Sequence, residues 1–270
     1  DDLSPTDRLA QIINMIETTA LKQDKQPFSK SALRDFYRAL LPESVPNIPG
    51  WDFEVIYRAA DILSADFYDF IPLTDSKLVI SIGDIAGKGS SAAIQMAKVS
   101  NLIREVAPAL IHPGAILGEV NRLLHLENNP KAYVTCFIAV LDPIRREMEY
   151  ANAGHLLPLK FNKANPDKIE ELLITGRPLG IFPQVLYVEK RVNLHPGDVV
   201  LFLSDGLLEA RNDAGEMFSA ERLFYLIKDN PPEKSLLSHV IEGFRKFLGD
   251  NHSQQDDITL IQMVCQAKNV

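Results

Sequence analysis

No stretch of the 270-residue chain strings together the roughly 18 apolar residues that a membrane-spanning helix needs. Its first residues, Asp1 and Asp2, offer neither the basic start nor the apolar core of a signal peptide. The expectation is a cytoplasmic protein with no membrane contact by this segment. Cysteine is scarce: Cys136 and Cys265 each sit inside an apolar run, which suits reduced core thiols and excludes a disulfide scaffold. Positive charge is also short, with 28 Lys and Arg against 36 Asp and Glu and a formal net charge of −8, so the footprint of a nucleic-acid surface is missing. The six histidines (112, 125, 155, 195, 239 and 252) show no His-x-x-x-His or Cys–His spacing, which removes the usual zinc patterns. Internal repeats and low-complexity tracts are absent, and so is an initiator Met; the last leads to the expectation of a piece of a longer protein.

What is present is an ordinary globular composition, 46% hydrophobic and 24% charged, enough for a sizeable core. Residues 7–22 carry Leu9, Ile12, Ile13 and Ile16 at helical spacing, and a second helix follows from Ser31 through Leu33, Phe36, Tyr37 and Leu40 to Pro42. Pro42, Pro46, Pro49 and Gly50 then form a stiff link, so residues 1–49 read as a helical extension with a proline-rich linker and 50–270 as the main domain. Downstream, short apolar runs predict strands near 52–58, 66–71, 78–83, 133–141, 147–151, 156–161, 169–174, 186–193, 198–203 and 257–264. Helical periodicity is confined to 90–106, 113–126, 220–228 and 234–248. Strands in blocks and helices in pairs predict antiparallel α+β layers rather than alternating α/β units.

The stretch from Asp66 to Asp84 reads as strand, turn, strand. A tip at Asp75 puts Asp66 directly opposite Asp84. Opposed side chains lie about 4.5 to 5.5 Å apart, where two carboxylates repel by roughly 3 kcal/mol even at an effective dielectric of 20. Such a pair calls for a cation, a shared proton or full solvation, and a divalent metal answers most simply. Asp205 ends the apolar run 199–203, and Asp256 and Asp257 precede the run 258–264. All stand at strand termini, where a β framework aims side chains into a shared cleft, and oxygen ligands without histidine favour Mg²⁺ or Mn²⁺. Singly, each Asp has a plain reading as turn residue, cap or solvated charge. The segment Gly83-Asp-Ile-Ala-Gly-Lys88-Gly-Ser90 fails as a phosphate loop, because three residues instead of four precede its Gly-Lys and Gly89 follows Lys88. Its glycines suit a sharp strand-to-helix turn that leaves the Ile85 carbonyl facing the cleft.

Together, Ala65-Asp66-Phe67-Tyr68-Asp69, Gly83-Asp84-Ile85-Ala86-Gly87-Lys88-Gly89, Tyr150-Ala-Asn152-Ala-Gly154-His155, Ser204-Asp205-Gly206 through Ala210, and Asp256-Asp257-Ile258-Thr259 resemble, in order, the motifs of metal-dependent protein serine/threonine phosphatases of the 2C-like (PPM) type. The resemblance is nearest to the bacterial SpoIIE/RsbU branch and runs from Leu33 to the C-terminus. It implies an antiparallel β-sandwich flanked by helices (αββα) with two Mn²⁺ or Mg²⁺ ions at one end. Their ligands map onto Asp66, Asp84, Asp205, Asp256 and the Ile85 carbonyl, and the implied chemistry is in-line attack of water at phosphorus without a phosphoenzyme. A phosphorylated STAS-domain anti-sigma-factor antagonist is the implied substrate, within a bacterial signalling pathway.

This sequence departs from the family pattern in two places. Ser64-Ala65 replaces the usual Gly-Gly before the first Asp, and Ala86 stands near where eukaryotic members carry a protonating His. Leaving-group protonation is left to a metal-bound water, to Lys88 or to neither. Arg58, preceding Asp66 on what reads as the adjacent strand, is the candidate for holding phosphate, against a surface ion-pairing role. His155 is read as part of a turn, with a catalytic role as the alternative. Asp69 and Asp257 are read as solvated carboxylates, with assistance to the metals as the alternative. The N-terminal helices either regulate the site and dimerise, passing on the signal of an upstream sensor domain, or merely cover the core. Two other functions stay open: a two-metal phosphoesterase acting on a small molecule, and a degenerate signalling module.

Overall fold

The computed structural model describes residues 40–267 apart from 62, 88, 127–132, 232 and 250–253. The helices expected at 7–22 and after Ser31, and Lys88, therefore lie outside the described residues. The elements run β1 (Trp51–Arg58), β2 (Asp66–Pro72), β3 (Leu78–Ile85), α1 (Ser90–Leu110), α2 (Pro113–Leu126), β4 (Val134–Asp142), β5 (Glu147–Ala153), β6 (Leu159–Asn162), β7 (Asn165–Glu171), β8 (Lys190–Asn193), β9 (Asp198–Leu203), α3 (Ser219–Lys228), α4 (Leu236–Leu248) and β10 (Ile258–Cys265). They form two five-stranded sheets, in the orders β2-β3-β4-β5-β8 and β1-β10-β9-β6-β7. Every pairing between these strands is antiparallel.

Alternation along the strands builds three apolar layers. Ile80, Ile82, Phe137, Val200, Phe202, Ile261 and Met263 meet between the sheets. Phe67, Val79, Cys136 and Ile138 point the other way, onto Met96, Val99 and Ile103 of α1 and Ile116, Leu117 and Val120 of α2. Val199, Leu201, Leu203 and Leu260 face Leu223 of α3 and Leu237, Val240, Ile241 and Phe244 of α4. β9 and β10 are buried along their whole length because helices cover one face and the partner sheet covers the other. Phe202 is fully buried, contributing about 1.5–3 kcal/mol by burial, and meets Phe137 of the opposite sheet edge-on at 5.6 Å. Both cysteines are buried and unpaired, and burial pushes the Cys136 thiol far up, as reduced core thiols require.

Four elements depart from the sequence expectation by more than two residues at one end. The helix expected to stop at 106 continues to Leu110, because Pro108 falls in its last turn, where its φ fits and only one backbone bond is forfeited; Ile111 (φ 62°) ends it by donating to the Ala107 carbonyl. β6 starts only after Pro158, which cannot donate to a ladder. The segment expected at 169–174 is displaced to Asn165–Glu171, where β7 pairs with β6 across a bulge. The strand expected at 186–193 shrinks to Lys190–Asn193, since the chain before it follows β4 irregularly, touching Val134 through Leu179.

Candidate metal centre

The β2–β3 hairpin has the register its sequence predicts, with Asp66 opposite Asp84 and Phe67 opposite Gly83. A short 3₁₀ turn at Thr74–Ser76 closes it, and the Leu73 amide donates to the Lys77 carbonyl at 2.8 Å. Asp84 shares the face of Ile80 and Ile82, so the opposed carboxylates point between the sheets at the open end of the sandwich. Gly83 precedes Asp84 because a Cβ there would lie 2.5 Å from the Phe67 ring and 2.6 Å from the Thr135 carbonyl oxygen. Asp66 is only 2% exposed; the Thr259 hydroxyl donates to its Oδ2 at 2.6 Å, and its own amide donates to Ser64 Oγ at 3.0 Å. Ser64, the departure from Gly-Gly, is thus buried beneath Asp66 and holds its backbone.

Sheet β1-β10-β9-β6-β7 supplies the other two acids from its loops. Asp205 opens a 3₁₀ turn after β9. Gly206 lets that turn touch the segment before β10: a Cβ on it would sit 1.9 Å from the Asp257 carbonyl oxygen. Ser204 and Thr259 lock the same two segments, through Ser204 N to Thr259 O and Thr259 N to Ser204 Oγ, both 3.0 Å. Asp256 follows on that segment with its side chain exposed. Asp257 corrects the expectation of a solvated carboxylate: it is buried, and its two oxygens accept the Ala60 and Ala65 amides at 2.8 and 2.7 Å, tying the β1–β2 connection down.

Crowding acids in one place has an electrostatic cost that appears in their proton affinities. Burial first, then the charges of Asp205, Asp256 and Asp257, push Asp84 up to about 7. Asp66 is raised well above the usual carboxylate range by burial and by Asp84, against the opposing pull of the Ser204 and Thr259 hydrogen bonds. A cleft of about 580 Å³ opens over them, lined by Asp84, Ile85, Ala86, Gly87, Gln254, Asp256 and Asp257 among others. An oxygen-only donor set in which Asp66 and Asp84 hold their protons above the ordinary carboxylate range fits a hard divalent cation. A larger cavity, about 960 Å³, lies at the other end of the sandwich around Trp51, Leu78 and Pro143.

Other sequence candidates are placed elsewhere. β1 lies in the opposite sheet from β2, so Arg58 is not on a strand adjacent to Asp66; it pairs with Ile258, on the face of Ile56 that packs toward α4. Burial and the nearby Arg245 charge hold its pKa down, and it is not among the residues lining the cleft. Asp69 also departs from the solvated reading: it is buried on the α1 side, ion-paired with Arg104, whose Nη2 donates to the Leu40 carbonyl at 3.0 Å. His155 does belong to a turn, closed by its amide on Asn152 Oδ1 at 2.7 Å and by Asn152 Nδ2 on its carbonyl at 3.1 Å. A separate His112, Glu149, Glu189 group is an ion-pair cluster in which Arg191 takes Glu149 and the Gly114 amide takes Glu189. Sequence reasoning missed Ser64, Ser204 and Thr259; the available signal was a hydroxyl at an inward position of an otherwise apolar strand or strand end.

The family model described as "Stage II sporulation protein E (SpoIIE)" matches residues 74–265, which includes β3 with Asp84 and both later acidic loops. The chain belongs to the SpoIIE family. Among relatives of this SpoIIE-family chain, "Protein IcfG" of Synechocystis sp. (strain ATCC 27184 / PCC 6803 / Kazusa) is 26% identical over 92% of the chain and 44% of its own length. "Phosphoserine phosphatase RsbU" of Bacillus subtilis (strain 168) is 26% identical over 83% of the chain and 66% of its own length. The chain thus spans less than two thirds of the length of either relative. The SiaA-PP2C domain of Pseudomonas aeruginosa superposes with a TM-score of 0.73 at 22% identity, over 87% of this chain and 95% of that one. The RsbU and RsbW domains of Rv1364c from Mycobacterium tuberculosis superpose with a TM-score of 0.69 at 27% identity, over 84% and 63%. The fold is therefore the PP2C-type sandwich that the motifs imply.

Proposed function

We propose that this SpoIIE-family chain is the catalytic part of a divalent-metal-dependent phosphoprotein phosphatase acting on phosphoserine or phosphothreonine. The observation that carries the reading is the convergence of Asp66, Asp84, Asp205 and Asp256 on one end of the sandwich, with two of them opposed across a hairpin. Those four, with the Ile85 carbonyl, are the residues that would hold two Mn²⁺ or Mg²⁺ ions. Two such ions supply a nucleophilic water near neutral pH and a clamp for phosphoryl oxygens. The chain's own part is positioning. Thr259 and Ser204 bias Asp66 toward its carboxylate form, Asp257 fixes the loop that carries Ala65, and Gly206 keeps Asp205 against the Asp256 segment. The cleft admits a side chain presented from outside, and cation loading would displace the proton from Asp84.

A phosphorylated STAS-domain protein is the proposed substrate, in keeping with the phosphoserine phosphatase named among the relatives. A homodimer through the N-terminal helices and an upstream sensor domain complete the proposal. The deciding experiment is manganese-dependent hydrolysis of p-nitrophenyl phosphate, followed by release of phosphate from a phosphoserine-bearing STAS protein. Activity on both, lost in Asp205→Asn and insensitive to a zinc-specific chelator, is the expected result. Hydrolysis of the small ester alone would favour the small-molecule phosphoesterase, and no hydrolysis at all would favour the binding module.

A further inference from the structure

The Asn152-Ala-Gly154-His155 motif turns the chain at the end of β5, and Gly154 (φ +72°) passes so close to Pro178 that a Cβ would lie 2.7 Å from it. The turn delivers a histidine to an enclosed place: His155 is 3% exposed. Its Nδ1 lies 2.9 Å from Thr135 Oγ1, and that hydroxyl donates in turn toward the backbone carbonyl of Asp84 at 3.5 Å. Thr135 is the β4 partner of Asp84, as Asp66 is its β2 partner, so the three stand in one row across the sheet and His155 closes the end of that row. On its other side the buried ring lies against the Leu203 carbonyl, two residues before Asp205, an acceptor that raises its proton affinity.

Thr135 has one hydroxyl proton to give; with it directed at the Asp84 carbonyl, the 2.9 Å contact is closed by a proton on His155 Nδ1 that the imidazole donates to Thr135. Burial, opposed by a smaller pull from the Leu203 carbonyl, holds the ring pKa down to about 4, so the imidazole stays neutral at cellular pH. The Asn152 amide clamp on both backbone groups of His155 fixes the donor's position.

We infer that His155 is a positioning residue of the carboxylate centre: through the Thr135 hydroxyl it pins the backbone of Asp84 and keeps that carboxylate facing Asp66 despite their mutual repulsion. The inference rests on the metal-centre reading above. Without the pin, the end of β3 can relax away from Asp66, and the site that a cation needs is no longer built in advance. The histidine touches neither substrate nor metal in this role.

Mn²⁺ binding to the full chain, read from loss of the free-ion EPR signal, tests it alongside melting temperature in EDTA. His155→Ala and Thr135→Val should each weaken Mn²⁺ binding about tenfold or more. The double variant should be no weaker than the worse single, because both act through one contact. Thr135→Ser, which keeps the hydroxyl, should bind as the wild type does, and the ¹⁵N spectrum should place the His155 proton on Nδ1. Unchanged Mn²⁺ affinity in His155→Ala with a lowered melting temperature would make the residue merely structural and overturn the inference, as would additive losses in the double variant. If His155→Ala does not fold, His155→Gln together with the Thr135 pair carries the same comparison. Failure of the wild type to bind Mn²⁺ would bring down the metal reading and this inference with it, whereas wild-type binding with unaffected variants brings down the inference alone.

Discussion

Asp84 is where folding and chemistry oppose each other. Its carboxyl is pushed from 3.8 to about 7 by burial and by three neighbouring acids, so the fold without a cation prefers it protonated. A raised acid contributes stability that is present below the unfolded pKa and lost as pH rises through the folded one. In EDTA the protein should therefore be more stable at pH 5 than at pH 8, with the loss spread between about pH 4 and pH 7. Asp84→Asn should flatten that slope and stabilise the metal-free protein at pH 8 by on the order of 1–3 kcal/mol, while abolishing divalent-dependent turnover. Urea unfolding across that range checks both halves; a wild-type stability indifferent to pH would contradict the crowding of these acids. Asp66 adds to the same trend, since burial and Asp84 raise it too.

At the scale of elements, the site depends on how closely two loops approach. The turn at Asp205–Leu207 and the residues before β10 are interlocked by Ser204, Thr259 and the missing side chain of Gly206. Gly206→Ala would drive a methyl group into the Asp257 carbonyl. It should cost about 1–3 kcal/mol or more and weaken Mn²⁺ binding, by parting Asp205 from Asp256. Gly118 in α2 is the control: a Cβ there meets nothing within 4 Å, and Gly118→Ala should stabilise by about 0.5–1 kcal/mol through helix propensity. Equal effects of the two substitutions on Mn²⁺ affinity would show that loop contact does not govern the site. The α1 helix carries a different load, since its Arg104 neutralises buried Asp69 on the face away from the cleft.

Across the whole molecule, two sheets and two pairs of helices enclose three apolar layers, and the acidic cleft sits at the end where both sheets stop. Leu40 packs against the α1 side and its carbonyl accepts from Arg104, so the chain arriving from the N-terminal segment meets the domain beside α1 and β2. β2 begins with Asp66, which gives the proposed regulatory helices a short mechanical route to the site. Substituting Ile12 and Ile16 with Asp should then change both the oligomeric state seen by light scattering and the Mn²⁺ concentration for half-maximal activity, through a shift between metal-competent and incompetent populations. If neither quantity moves while the protein stays folded, those helices only cover the core.

The sequence alone determined the hairpin, because period-two alternation and a turn centred on Asp75 fix the register, and register fixes which acids face each other. It also determined the layered α+β class, since strands that come in blocks and helices that come in pairs point to antiparallel layers rather than alternating units. Tertiary structure decided everything that depends on which sheet a strand joins. β1 and β2 are neighbours in sequence but pair in different sheets, which puts Arg58 on a different sheet from Asp66. The supporting contacts are likewise long-range: Thr259 reaches Asp66 across 193 positions, and Asp257 reaches Ala65 across 192. Local spacing records what a residue does to its own turn or strand, whereas a hydrogen bond between sheets depends on packing that no single segment encodes. His155 shows both at once, a turn residue by its motif and a support for Asp84 only by where that turn docks.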